Sequence, residues 1–105
     1  MLKVYDAAIE MLRELVPVIV QIEKKRDIDL ARELKRAASS VPLNMAQASG
    51  SRGGIRNARY RTALGSARET GACLDVAQAF GYCVAGERVR GQLSVVITTL
   101  WKLTA

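Results

Sequence analysis

Apolar side chains recur at intervals of three and four residues in four stretches of this chain, which is the spacing that places them on one face of an α-helix. No stretch shows the alternation of two that a half-buried strand requires. The pattern predicts an all-α fold of four helices. The four predicted apolar seams are Val4, Ala8, Met11, Leu15, Val18 and Ile22; Leu30, Leu34, Ala37 or Ala38, Val41, Met45 and Ala48; Tyr60, Leu64, Ala67, Gly71, Leu74 and Gln78; and Val89, Leu93, Val96, Leu100 and Leu103.

Short polar or glycine-containing segments separate the four seams. The charged residues 23–29 interrupt the apolar rhythm after the first seam, and either Asp27 or Asp29 is suited to cap the second helix by accepting its free backbone N–H groups. A glycine-rich stretch, residues 50–54, separates the second helix from the third. Gly81-Tyr82 begins the turn before the fourth helix.

Turns of this length make consecutive helices neighbours that run in opposite directions. The chain of 105 residues is long enough for one hydrophobic core and too short for two. We therefore expect residues 1–105 to form a single domain, an up-down-up-down antiparallel four-helix bundle.

Two helices contain a proline, and the third is rich in small residues. Pro17 and Pro42 each remove one backbone hydrogen bond, and Ser39 and Ser40 are placed to bond carbonyls that Pro42 leaves free. An interior glycine costs a helix about 1 kcal/mol relative to alanine. We therefore expect the glycines of the third helix, Gly65 and Gly71, to allow close approach of a neighbouring helix.

The first and fourth helices are more apolar than one buried stripe requires. This excess predicts self-association, because a lone bundle would leave part of it in water. The chain has no run of about 18 apolar residues and no signal-peptide region, so we expect a cytoplasmic protein that does not enter the membrane. Cys73 and Cys83 are expected to be reduced, partly buried thiols. The residues in excess are found among Val16, Val18, Ile19, Val20 and Ile22, and among Val95, Val96, Ile97, Leu100 and Trp101.

The net charge of +6 is concentrated in the middle of the chain. Residues 34–68 contain seven basic side chains and no acidic one, whereas acids and bases nearly balance on either side. Such a segment attracts a polyanion or an acidic protein surface. The seven candidate binding residues are Lys35, Arg36, Arg52, Arg56, Arg59, Arg61 and Arg68.

The arginines of the third helix have a defined geometry. At about 100° per residue, Arg56 and Arg59 fall on one flank of the apolar seam, and Arg61 and Arg68 fall on the other. Guanidinium groups suit phosphates, and Tyr60 offers a stacking surface, so this arrangement fits an interface for RNA or DNA. The alternative, which the sequence leaves equally open, is that the arginines pair with acids of other helices or subunits. Candidate acids for such pairing are Asp6, Glu10 and Glu14.

The chain contains no histidine, which excludes several kinds of catalytic and metal site. Di-iron bundles with Glu-x-x-His pairs, Cys–His zinc sites and Ser–His or Cys–His nucleophile pairs all need imidazole. Residues 50–54 lack the preceding strand and the Gly-Lys-Ser/Thr ending of a nucleotide-binding loop, which favours a plain turn over a phosphate loop. We expect a binding protein with no metal or cofactor, not an enzyme.

Residues 33–47, residues 63–69 and Gly81-Tyr82 together resemble the bacterial four-helix-bundle family of the 23S ribosomal RNA intervening-sequence protein. Residues 33–47 begin Glu-Leu-Lys-Arg-Ala-Ala and end Leu-Asn-Met-Ala-Gln. They are similar to the family's Gln-Leu-Arg-Arg-Ala-Ala, its Ser-Ile/Val step and its Asn-Ile-Ala-Glu-Gly. Residues 63–69 resemble its Ala-x-Gly-Ser-x-x-Glu, and Gly81-Tyr82 resembles its Gly-Tyr.

The resemblance implies a homopentamer of four-helix protomers. A related assembly is the accessory variability determinant of diversity-generating retroelements, a basic barrel that binds nucleic acid and a reverse transcriptase. The implied partners are therefore other copies of the chain, RNA or DNA, and a reverse transcriptase or other protein. Gln47-Ala48 replaces the family's Glu-Gly, and Gly71 replaces an acidic residue, which should make the surface more basic.

Asn44, Ser66 and Glu69 belong to the resembling segments and have a structural interpretation. Asn44 lies near Pro42 and is suited to bond backbone groups there, or to bond Ser66 or Glu69 on the third helix. We prefer this role for Asn44 to ligand binding, and we expect Glu69 to form an ion pair with Arg36 or Arg68.

Together these features predict a non-enzymatic, oligomeric nucleic-acid-binding or accessory scaffold protein. The alternative is a protein-interaction scaffold that docks an acidic partner and has no direct nucleic-acid role. Salt-dependent binding to RNA or DNA of unrelated sequence distinguishes the two.

Overall fold

The computed structural model describes residues 3–82 and 86–105, and these form four α-helices. The helices are α1, Lys3–Lys24; α2, Ile28–Ser49; α3, Gly53–Ala79; and α4, Glu87–Thr104. Neither described range contains a β-strand. The all-α prediction and the number of helices are confirmed.

The helices close into a ring in which each packs against two neighbours: α1 against α2 and α4, and α3 against α2 and α4. Arg36 of α2 contacts Glu69 of α3, and Ser40, one turn later in α2, contacts Ser66, almost one turn earlier in α3. Residue numbers thus rise along one helix as they fall along its neighbour. This is the antiparallel arrangement that the short turns predict.

The predicted seams match the core closely in α1 and less closely elsewhere. Every predicted α1 residue is buried. In α2, Ala31 is buried and Leu30 only partly so, and in α4 the side chain of Leu103 is 41% exposed. The two mismatches lie at helix ends, where fewer neighbours cover a side chain.

The largest difference between prediction and structure is in α3. Gln78 is exposed, Gly71 is half-buried, and Ala63, Thr70 and Ala77 join the core instead. These three residues lie on the side of α3 that faces α2, its most extensive packing partner. The sequence shows that α3 has a wide band of small residues, but it does not show which neighbouring helix packs most closely against that band.

The turn between α1 and α2 positions the cap of α2. Arg26 has a positive φ of 66°, and the backbone N–H of Asp27 donates to the carbonyl of Ile22, an arrangement that closes the end of α1. The side chain of Asp27 then accepts a hydrogen bond from the backbone N–H of Leu30 at 3.0 Å. Of the two predicted caps, Asp27 is the correct one.

The turn after α3 is attached to this same end of the bundle. Gly81 has a φ of 74°, a conformation that glycine adopts without strain, and it follows Phe80, the C-cap residue of α3. The hydroxyl of Tyr82 donates to the second carboxylate oxygen of Asp27 at 3.0 Å, and this bond raises the pKa of the Tyr82 phenol. Asp27 therefore joins the two turns. Cys83 lies outside the described residues, and Cys73 is buried.

Neither Pro17 nor Pro42 ends the helix that contains it. The sequence predicts that Ser39 and Ser40 bond carbonyls that Pro42 leaves free. The Ser39 hydroxyl donates instead to the Arg36 carbonyl at 3.2 Å, so the prediction is wrong for Ser39. The Ser40 hydroxyl accepts hydrogen bonds from Asn44 and Ser66.

A Cβ at Gly71 would lie 3.2 Å from Cδ2 of Leu93, which confirms close approach of α3 and α4.

No atom lies within 4 Å of a Cβ built at Gly65. The prediction of close helix approach is therefore wrong for this glycine. It lies on the exposed side of α3, where nothing offsets its cost to the helix.

Apolar side chains remain on the surface of α1 and α4, as predicted. Val16 is 57% exposed and Trp101 is 56% exposed, and Val20 and Val95 are exposed as well. Self-association, which would cover them, stays a prediction. Within the two described ranges, no helix is both long enough and apolar enough to cross a bilayer.

Candidate nucleic-acid interface

All seven predicted binding residues have exposed side chains, and five of them lie at the start of α3 or along it, between residues 52 and 68. Arg52 is the residue that precedes the first turn of α3, and the other four lie within the helix. Tyr60, Leu64 and Ala67 are buried between the two predicted flanks, which agrees with the expected geometry. We call these five residues the arginine surface: Arg52, Arg56, Arg59, Arg61 and Arg68.

The arginine surface has no carboxylate partners within residues 3–82 and 86–105. None of its five members is among the ion pairs there. Of the acids considered as partners, Glu10 pairs with Arg13 and Glu14 pairs with Arg88 at 3.0 Å. Pairing of the arginine surface with acids among the described residues is therefore wrong, and pairing across subunits stays open.

Arg36 differs from the other predicted binding residues. Its guanidinium group contacts the carboxylates of Glu33 and Glu69, each at 2.5 Å. The hydrogen bond from the Arg36 guanidinium lowers the pKa of Glu33 from 4.5 to about 2, and the two carboxylates raise the pKa of Arg36. The predicted ion pair between Glu69 and Arg36 is confirmed. The carboxylates of Glu33 and Glu69 balance the charge of Arg36 within the chain, so we assign Arg36 a structural role.

Lys35 lies apart from the arginine surface. It lines two neighbouring grooves between α1 and α2, with volumes of about 420 and 200 Å³, together with Val16 and Ile19. Because α1 stands diagonally across the bundle from α3, Lys35 and the arginine surface face different directions. The structure does not bring all seven predicted residues into one site.

Arg56 lies over the ring of Tyr60. The guanidinium carbon is 5.5 Å from the ring centroid, within the range of a cation–π interaction. Tyr60 itself is only 4% exposed. The prediction that Tyr60 offers an open stacking surface is therefore wrong, and the planar group exposed there belongs to Arg56.

A pocket of about 320 Å³ lies beside this pair, between the start of α3 and the end of α4. Its walls are Gly53, Arg56, Asn57, Tyr60 and Leu103. Asn57 and Leu103 were not among the site residues predicted from the sequence. The two are 46 positions apart, and only the antiparallel packing of α3 and α4 brings them together.

Asn44 belongs to a hydrogen-bond network between α2 and α3. Its amide nitrogen donates to the Ser40 carbonyl and to the Ser40 hydroxyl, both at 2.9 Å, and Ser66 donates to the same hydroxyl at 2.8 Å. The predicted bond to backbone near Pro42 is confirmed. The predicted direct bond from Asn44 to Ser66 or Glu69 is wrong, because the Ser40 hydroxyl lies between Asn44 and Ser66 and accepts from both. This role of Ser40 was not predicted from the sequence.

No group of three cysteine, aspartate or glutamate side chains converges as metal ligands would in the part of the chain that the structure describes. The absence of a metal or cofactor stays a prediction.

A sequence model of the 23S rRNA-intervening sequence protein family matches residues 1–97. The chain belongs to this family. Searches of the curated proteins and of the solved structures found no match.

The residues that resemble the family lie at helix contacts and turns. Residues 33–47 and 63–69 face each other across α2 and α3, through the pairs Arg36–Glu69 and Ser40–Ser66. Gly81-Tyr82 forms the turn that reaches Asp27. These segments thus contribute contacts between α2 and α3 and attach the turn after α3 to Asp27.

The two departures from the family pattern differ in their surroundings. Gln47 is exposed, so it is placed where its lack of charge affects the surface, and the expected increase in basic character stays a prediction. Gly71 is half-buried against Leu93 of α4, so its effect is on helix packing and not on the charge of the arginine surface.

Proposed function

We propose that this chain is a non-enzymatic, self-assembling protein that binds nucleic acid by placing the arginine surface against phosphates. The observation that carries the proposal is the arginine surface itself: five exposed guanidinium groups with no carboxylate partner within the described ranges.

The electrostatics of α2 and α3 support a polyanionic ligand. Residues 34–68 contain no acid, so no negative side chain of this segment weakens the field of the arginines. Each guanidinium carries a positive charge and presents several N–H groups in one plane, which suits the oxygens of a phosphate. A protein that neutralises phosphates in this way gains affinity by releasing the counterions condensed on the nucleic acid.

The side chains near the arginine surface favour binding over catalysis. The chain has no histidine, and the pocket beside Arg56 is lined by an amide, a phenol and a leucine in addition to the arginine. None of these is a strong base at neutral pH.

Self-assembly is the second part of the proposal, and family membership makes a homopentamer the expected form. Val16 and Val20 on α1, and Val95 and Trp101 on α4, are large apolar side chains exposed on two helices that pack against each other. A second copy of the chain covers such residues without any additional partner.

Sedimentation velocity tests assembly. Trp101→Lys should dissociate the oligomer, because Trp101 belongs to the proposed interface on α1 and α4. Leu43→Lys is the control and should not dissociate it, because Leu43 is similarly exposed but lies on α2, outside that interface. A wild-type chain that sediments as an 11.4 kDa monomer at micromolar concentration would contradict this part of the proposal.

A comparison of two charge-matched variants tests nucleic-acid binding. In the first variant Arg56, Arg59, Arg61 and Arg68 become Gln, and in the second Lys3, Lys24, Lys25 and Arg32, which are also exposed, become Gln. The probes are fluorescently labelled RNA and DNA of unrelated sequence, and the readout is anisotropy. The first variant should lose most of its affinity and the second should keep most of it. Equal losses would show that net charge, and not the arginine surface, governs binding.

Binding to an acidic protein with no binding to either nucleic acid would favour the alternative, a protein-interaction scaffold. Circular dichroism and sedimentation must accompany each variant. If the first variant loses its oligomeric state before it loses nucleic-acid binding, the arginines pair with carboxylates across subunits, and the proposal is wrong.

A further inference from the structure

The pocket between the start of α3 and the end of α4 has the size and lining to hold a flat, polar-edged group. Its volume of about 320 Å³ is at the lower end of the range for small-ligand sites. Gly53 contributes no side chain, and a Cβ built there would meet no atom within 4 Å, so the space beside it is open.

The walls supply the three contacts that a nucleobase uses. The guanidinium of Arg56 lies over Tyr60 and exposes its other face, on which an aromatic ring can stack. The amide of Asn57 can donate to and accept from the edge of a base. Leu103, which is 41% exposed, offers an apolar contact.

The surroundings of the pocket suit the remainder of a nucleotide. Arg52 directly precedes Gly53, Arg59 lies between Asn57 and Tyr60, and both are exposed, so they can contact the phosphates that flank an inserted base. A base within a duplex has both faces stacked and its edge paired, so it cannot enter.

We propose that this pocket, formed by Gly53, Arg56, Asn57, Tyr60 and Leu103, holds one unpaired base of a single-stranded nucleic acid. This inference rests on the proposed function and adds to it a ligand class: strands with unstacked bases, in preference to duplexes.

The test compares two 12-nucleotide labelled RNA strands at one salt concentration, one of oligouridine and one with the same backbone but abasic at every internal position. The phosphate contacts are the same for both. The intact wild-type protein should bind the base-bearing strand about tenfold more tightly, because stacking and edge contacts are absent from the abasic strand. A 12-base-pair duplex should show no such increase in affinity over the abasic strand.

Two variants assign the base preference to the pocket. Arg56→Lys keeps the charge but removes the planar group, and it should lower the affinity ratio between the two strands to about threefold or less. Asn57→Ala should reduce binding of the base-bearing strand severalfold and leave binding of the abasic strand unchanged. Arg61→Lys is the matched control on the opposite flank of α3 and should leave the ratio as in the wild type.

The outcomes separate this inference from the proposed function. Equal affinity for both strands, with affinity that still falls as salt rises, would overturn the base pocket and leave phosphate binding intact. Equal effects of Arg56→Lys and Arg61→Lys on the ratio would also overturn it. If neither strand binds at any salt concentration, both proposals are wrong.

Discussion

The hydrogen-bond network around Ser40 makes a prediction about stability that does not depend on any ligand. Asn44 and Ser66 both donate to the Ser40 hydroxyl, and Asn44 also donates to the Ser40 carbonyl. All three residues are half-buried, so water only partly replaces a lost bond. If one of the two donors is removed, the Ser40 hydroxyl still accepts a hydrogen bond from the other. If both are removed, it accepts from neither.

The expected magnitudes follow from this arrangement. Asn44→Leu removes two hydrogen bonds worth about 1 kcal/mol each, and the higher helix propensity of leucine returns a few tenths, so the free energy of unfolding should fall by about 1 to 2 kcal/mol. Ser66→Ala removes one bond and gains propensity, so it should cost about 0.5 kcal/mol. The double variant should lose about 1 kcal/mol more than the sum of the two, because it leaves a half-buried hydroxyl without a donor.

Urea unfolding followed by circular dichroism, at one fixed protein concentration, measures these values. Gln47→Leu on the same helix is the control for adding a leucine, because the Gln47 side chain is exposed. If Asn44→Leu and Gln47→Leu have the same midpoint, the network contributes nothing and the structural role of Asn44 is refuted. Strict additivity in the double variant would refute the shared role of Ser40.

Three further predictions concern single positions. Gly65→Ala should raise the free energy of unfolding by about 0.5 to 1 kcal/mol, and Gly71→Ala should raise it less because its Cβ would press on a neighbouring side chain; urea midpoints that rank the other way would contradict the packing described for α3. Asp27→Ala should lower thermal stability through loss of a helix cap worth about 1 kcal/mol, and an unchanged melting temperature would show that the cap is dispensable. Because the pKa of Glu33 is lowered from 4.5 to about 2, its contribution to stability is present above pH 4.5 and is lost as pH falls toward 2. Arg36→Gln should abolish that acid-side loss in urea midpoints measured at intervals between pH 5 and pH 2, and an identical pH profile in the variant would contradict the assignment.

The helices and the α1 core were predictable from the sequence because local periodicity determines them. Val4 to Ile22 keep a regular spacing of four and three, and a single stripe of this kind has one direction in which to face the core. Asp27 could be predicted as a cap, together with Asp29, because both lie at the right distance before the next apolar seam.

The phase of α3 and the composition of the site were not predictable in the same way. The band of small residues around Ala63 and Thr70 can turn toward either neighbouring helix, and the choice depends on packing across the whole bundle. The meeting of Asn57 with Leu103 likewise depends on a contact between residues far apart in the chain. Charge counts predicted where basic residues are dense, but not which of them have carboxylate partners.

The dependence of nucleic-acid affinity on salt concentration tests the central claim most directly. The logarithm of the association constant for single-stranded RNA should fall linearly with the logarithm of salt concentration, with a slope of about 0.7 per phosphate contact. Replacement of Arg56, Arg59, Arg61 and Arg68 by Gln should flatten that slope by about three units while helicity and oligomeric state stay unchanged. A slope that is the same in the wild type and the variant, or a wild type whose affinity does not change with salt, would contradict the account.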